Sequence, residues 1–115
     1  MKAAALFAAA FVVAGCGAQK PSAHERANSA LLDRLPVYPG SAAPKTAPGD
    51  AFAVRDWRLP AGAAPSRVVD WYVSELQARG WRISGKSFAT IRASRDGSSV
   101  SIGVRMRTLE VVANA

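Results

Sequence analysis

The chain has 115 residues, with 15 Lys and Arg against 8 Asp and Glu, for a formal net charge of +7. Its single cysteine excludes an internal disulfide framework, and one histidine without a second cysteine excludes a thiolate–imidazole zinc cluster. The carboxylates are scattered singly, so no acid–base pair is recognisable, and the length leaves room for one domain.

Met1 and Lys2 form a short positive region ahead of a small and apolar run, Ala3 to Ala14. That run is too short to cross about 30 Å of hydrocarbon, which takes about 20 helical residues. It has the length and flanks of an export signal's core. Val13-Ala14-Gly15-Cys16 then resembles the lipobox of bacterial lipoproteins, in a resemblance covering residues 1–16. It implies a signal peptide over 1–15, cleavage between Gly15 and Cys16, and diacylglycerol on the Cys16 sulfur, followed by N-acylation with a chain such as palmitate. Cysteine is required because a thiolate takes the lipid. Stable anchoring needs about two chains at about 0.8 kcal/mol per buried CH₂, which a diacylglyceryl group supplies. The expected location is the bacterial cell envelope, lipid-anchored and facing away from the cytoplasm. Gly17 stands where an aspartate would resemble an inner-membrane retention signal, which implies the outer membrane wherever the organism has two.

Residues 16–34 read as the lipidated cysteine and a tether. Ser22 and Glu25 have capping-box spacing, with Ala27, Ala30, Leu31 and Arg34 at helical intervals behind them, so 23–34 is either a short helix or a disordered stalk. His24 lies here as a solvated side chain. Leu35-Pro36-Val37-Tyr38-Pro39-Gly40 marks the entry to a folded domain over 35–115, because each proline forces extended backbone before it. Residues 41–50, rich in Ala, Pro, Ser and Gly, read as a surface loop. Phe52 to Leu59 predicts a strand whose imperfect alternation leaves its faces unassigned.

A helix is predicted over 65–79. Pro65 sits in its first turn, Val68, Val69, Tyr72, Val73 and Leu76 form one apolar stripe, and Glu75–Arg79 is an i,i+4 pair. Gly80 supplies a left-handed C-terminal residue, and Trp81 follows where a Schellman-type end wants a hydrophobic contact. Trp71 falls at the edge of the stripe.

An antiparallel meander follows. Asp96-Gly97 is a two-residue hairpin signal that pairs Arg95 with Ser98, Ala93 with Val100 and Ile91 with Ile102. Arg92–Ser101 and Thr90–Gly103 then occupy the other face. Upstream, a turn at Gly85-Lys86-Ser87 would pair Ile83 with Ala89 and Trp81 with Ile91, keeping the apolar set together. Downstream, a reversal at Arg107-Thr108 would place Val104 against Val111 and Arg105 against Glu110. The fold class is α+β: one helix on a four- to five-stranded, mostly antiparallel sheet, in the order β-α-β-β-β-β. Tyr38-Pro39-Gly40, Val69-Asp70-Trp71-Tyr72 and Leu76-Gln77-Ala78-Arg79-Gly80-Trp81 together resemble small envelope lipoprotein domains whose helix likewise ends in Gly-Trp. That resemblance covers about 35–115 and implies no activity.

The positive charge concentrates in residues 79–107, and the expected register sends Arg82, Arg92 and Arg105 to the sheet face away from the helix. This face is the candidate anion-binding site, suited to lipid headgroups or wall polymers, with a solvated face as the plain alternative. Trp57, Trp71 and Trp81, with Tyr38 and Tyr72, read as core anchors or as glycan-stacking rings. Nothing supports catalysis: the lone histidine lies on the tether and no glycine-rich phosphate loop is present. The expected protein is a non-enzymatic lipoprotein without metal or cofactor, acting as a binding or assembly-support module. A module binding glycan or wall polymer through the basic face and aromatics is the alternative, and a hydrolase inhibitor a further one. Its expected partners are the membrane through the Cys16 lipid, anionic headgroups or wall polymers, and another envelope protein, with no nucleic acid.

Overall fold

The computed structural model describes residues 20–115, so the lipobox, Gly15 and Cys16 lie outside the described residues. In chain order the elements are α1 (Ala23–Arg34), β1 (Ala42–Ala47), β2 (Ala53–Arg58), α2 (Pro65–Ala78), β3 (Arg82–Lys86), β4 (Thr90–Arg95), β5 (Ser98–Arg105) and β6 (Thr108–Asn114). The strands form one open sheet in the order β1-β2-β6-β5-β4-β3, with every neighbouring pair antiparallel. The fold is α+β as expected, but the sheet has six strands rather than four or five, and two helices pack on it rather than one.

Both helices cover the same face. α1 lies over β2 and β6, while α2 lies over β3, β4 and β5. The core between the layers joins Leu31 and Leu32 of α1 and Val68, Val69, Tyr72 and Leu76 of α2 to Ala53, Ile91, Ala93, Val100, Ile102, Leu109, Val111 and Ala113 of the sheet. Helix α1 therefore packs into the same core as the sheet and α2. Its first turn is capped as the spacing predicts, with the Glu25 N–H donating to Ser22 Oγ at 3.0 Å.

The segment 42–47, expected as loop, is edge strand β1. All six residues are exposed. It carries Pro44, an irregular register between Ala42 and Lys45, and Ala43 at φ 51°. An edge strand with no buried face needs no apolar alternation and tolerates proline, so its sequence looks like a loop.

Asp96-Gly97 forms the hairpin turn with φ of 49° and 83°, and every β4–β5 pair follows the expected register. The flanking turns differ. Ser87, Phe88 and Ala89 connect β3 to β4, so Ile83 pairs with Ala93 rather than Ala89, and Lys86 with Ile91. An extra residue, Ser84, bulges between Ile83 and Gly85. Met106-Arg107 makes the β5–β6 turn with Met106 at φ 56°, so Arg105 pairs with Thr108, Val104 with Leu109 and Gly103 with Glu110. The expected Arg105–Glu110 opposition is thereby displaced by two residues.

At the end of α2 the Gly80 N–H donates to the Gln77 carbonyl at 3.0 Å and the Trp81 N–H to the Leu76 carbonyl at 2.9 Å, a complete Schellman pattern with Gly80 at φ 85°. Trp81 is buried, and the Arg95 guanidinium lies 4.7 Å from its ring centroid.

Candidate functional site

With one face under the helices, the other face of the sheet is bare among the described residues. Register fixes what it displays. Ala53 is buried on the helix side and Arg55 reaches Asp33 of α1 at 3.0 Å, so Val54, Asp56 and Arg58 of β2 point to the bare side. The pairings carry that side across the sheet in four rows. Arg82, Ser94, Ser99 and Asn114 make the first. Gly85, Arg92, Ser101, Val112 and Val54 make the second. Thr90, Gly103, Glu110, Asp56 and Lys45 make the third, and Arg105, Thr108 and Arg58 the fourth.

Arg82, Arg92 and Arg105 thus share the bare face, and all three are exposed. They are separated along the strands, which run about 3.4 Å per residue. Arg82 and Arg92 are about 7 Å apart in that direction, and Arg92 and Arg105 about 14 Å. Between them lie the hydroxyls of Ser94, Ser101 and Thr90 and the flat spot at Gly103. None of the three arginines, nor Arg58 or Lys45, forms an ion pair among the described residues. The pairs present are Arg55–Asp33, Arg79–Glu75 and Lys86–Asp70.

The centre of the face is less positive than the arginine pattern suggests. Asp56 and Glu110 stand directly opposite each other on β2 and β6. Like charges so placed oppose each other, and Lys45 on the far side of Asp56 is the cation in line with them. Among the described residues Asp56 Oδ1 is buried without a hydrogen-bond partner. It lies between two shallow grooves. One, of about 380 Å³, is lined by Lys45, Arg58, Arg107 and Thr108; the other, of about 580 Å³, by Thr90, Gly103, Met106 and Glu110. The carboxylate pair lay beyond sequence reasoning because it needs both the facing of β2 and the register of β6. Met106-Arg107 carries no glycine or asparagine to signal that turn.

Of the aromatic rings, Trp57 lines the groove of about 380 Å³ beside Lys45, Arg58 and Arg107, and the others pack in or against the core. Tyr72 and Trp81 are buried, and Tyr38, Trp57 and Trp71 pack partly buried against the same core. Trp71 sits edge-on to Tyr38 at 5.4 Å and to Tyr72 at 4.9 Å. Packed in this way, the rings act chiefly as core anchors. Among the described residues the exposed large apolar side chains are Val37, Phe52, Phe88 and Met106, on loops and turns.

His24 is exposed on α1. No group of three or more His, Cys, Asp or Glu among the described residues is placed to hold a metal ion. What the arrangement can do chemically is attract a ligand carrying repeated negative charge and hydrogen-bond its oxygens. Comparison of the chain with protein-family models, with curated proteins and with solved structures finds no match in any of the three.

Proposed function

We propose that the chain is a lipid-anchored, non-enzymatic module of the bacterial envelope whose bare sheet face binds an extended anionic polymer of the cell wall. The observation that supports this most is the line of Arg82, Arg92 and Arg105, exposed and without ion-pair partners among the described residues, on a sheet face that neither α1 nor α2 covers. Their offsets of about 7 and 14 Å along the strand direction suit a ligand that repeats its charge along a chain, rather than one small anion. The central Asp56–Glu110 pair favours a path over β3, β4 and β5 instead of across the whole sheet. Val13-Ala14-Gly15-Cys16 supplies the anchor in this reading.

Co-sedimentation of residues 20–115 with insoluble wall polymer tests the reading. The wild-type fragment is expected in the pellet at low salt and increasingly in the supernatant above about 0.15 M, where screening acts within about 8 Å. The triple variant Arg82→Glu, Arg92→Glu, Arg105→Glu is expected to stay in the supernatant with an unchanged melting temperature. Equal sedimentation of the folded triple variant overturns the reading. Anionic vesicles in a parallel arm separate wall polymer from lipid headgroups.

Docking of another envelope protein is a second reading. Phe88 is 73% and Met106 88% exposed, at turns on the same end of the sheet, as the pairing of β4 with β5 requires. A pull-down from crosslinked cells, compared with a Phe88→Ser, Met106→Ser variant, tests it.

A further inference from the structure

The two ends of the sheet are not equivalent, and the tether selects between them. At one end lie Ser22, the β1–β2 loop, the Asp96-Gly97 turn and Ala115. At the other lie the turns bearing Phe88 and Met106. The first end is fastened to the start of α1: Ser22 Oγ donates to Asp50, and Asn28 Nδ2 donates to the carbonyls of Gly49 at 2.9 Å and Asp50 at 3.0 Å. Phe52 stands 52% exposed on that loop. Lys20 and Arg26 flank the point where the chain enters α1, with Arg26 Nη1 donating to the Pro21 carbonyl at 2.7 Å.

We infer that this end, with Phe52 at its tip and Lys20 and Arg26 beside it, docks on the surface of the bilayer that holds the Cys16 lipid. The inference rests on the lipid anchor proposed above. Six residue steps separate Cys16 from Ser22, a reach of at most about 21 Å even when fully extended. The eight residues of β5 alone span about 24 Å along the sheet, before the Met106 turn is added. With the Phe88–Met106 end on the membrane, Ser22 would stand farther from the lipid than the tether can stretch. With the Phe52 end down, that reach suffices. An exposed phenylalanine suits the boundary of the acyl chains, and Lys20 and Arg26 at this end supply cations for anionic headgroups alongside the carboxylates of Glu25 and Asp50. The strands then rise away from the membrane, and the arginine face looks sideways instead of at the headgroups.

The full lipidated chain in vesicles of phosphatidylethanolamine and phosphatidylglycerol tests this. Cys16 is blocked by its thioether, so a nitroxide attached to Phe52→Cys or Phe88→Cys reports one site each. Accessibility to oxygen relative to a water-soluble nickel reagent is expected to be severalfold higher at 52 than at 88. Ala51→Cys, exposed on the same loop, gives the same reading if Phe52→Cys fails to fold. Water-like values at both sites in protein whose mass shows the Cys16 lipid overturn the docking and leave the anchor standing. A membrane-like value at 88 alone overturns it too. A mass without lipid at Cys16 overturns both.

Discussion

The Tyr72 hydroxyl accepts the backbone N–H of Tyr38 at 3.2 Å and donates to the Pro36 carbonyl at 3.0 Å. A tyrosine on the buried face of α2 thus holds the extended segment that leads from α1 into the sheet. Two prolines strip that segment of N–H groups, and Tyr38 supplies one of its remaining donors.

This arrangement predicts an alkaline weak point. Burial, opposed by the Tyr38 hydrogen bond, pushes the Tyr72 hydroxyl up to about 12 from its ordinary 10.0. Below about pH 10 both folded and unfolded chains hold the proton, and the stability it supports is fully present. Above that pH the unfolded chain ionises first, so stability falls until the folded pKa is reached. At 1.36 kcal/mol per unit the loss amounts to about 2–3 kcal/mol. Tyr72→Phe is expected to cost about 1–2 kcal/mol at pH 7, from the two backbone groups left unpaired, and to flatten the decline between pH 10 and 12. Urea unfolding across that range checks both, and an equally steep decline in the variant would assign it to other groups.

Among the described residues Asn28 is a fully buried amide, and its hydrogen bonds tie distant parts of the chain together. Its Nδ2 holds the β1–β2 loop, and its Oδ1 accepts the Ala115 N–H at 2.8 Å. Asn28→Leu is expected to destabilise by about 2–4 kcal/mol, since it orphans three backbone groups in a protected site. Deleting Ala115 removes one of the three bonds and should cost about 1 kcal/mol. Chemical denaturation of the three proteins orders them.

Where a local signal sets the geometry, the sequence reveals it. Asp96-Gly97 fixes the β4–β5 register because its two left-handed residues dictate the turn. Gly80-Trp81 fixes the end of α2 in the same way. Strand β1 escapes notice because an edge strand of Ala, Pro, Lys and Thr buries nothing and so shows no pattern. The register of β3 depends on a bulge at Ser84, and that of β6 on Met106 adopting a positive φ; neither residue type announces such a role. Asn28 looks like any polar helix residue until the loop and the chain end meet it. The arginine face was readable because Arg92 lies on the hairpin whose register is certain. Its carboxylate centre was not, because Asp56 and Glu110 come together only through strands 54 residues apart in the chain.

The proposed anchor has its own test. Cys16→Ser is expected to abolish incorporation of a labelled lipid analogue and to leave the leader uncleaved by the lipoprotein peptidase. A hydroxyl is a far poorer nucleophile than a thiolate at neutral pH. Continued labelling of the serine variant would place the lipid elsewhere.

A final prediction separates the two faces of the sheet. Gly80 at φ 85° is expected to resist a β-branched residue, with Gly80→Val costing about 1–2 kcal/mol from backbone strain. The nearest atom to an added Cβ is Arg95 Cδ at 3.7 Å, so crowding adds little. Trp81→Ala removes a ring that is only 4% exposed, along with its contact to the Arg95 guanidinium, and should cost about 3–5 kcal/mol. In a domain of this size, where total stability is about 5–10 kcal/mol, that variant stands near the edge of folding. Arg92→Glu, on the bare face opposite Ser101, should change stability by less than about 0.5 kcal/mol while weakening sedimentation with wall polymer. Thermal unfolding of the three variants, paired with the sedimentation assay, reads packing and surface charge separately. A large stability loss in Arg92→Glu would mean that this arginine supports the fold, and its place in the binding face would have to be given up.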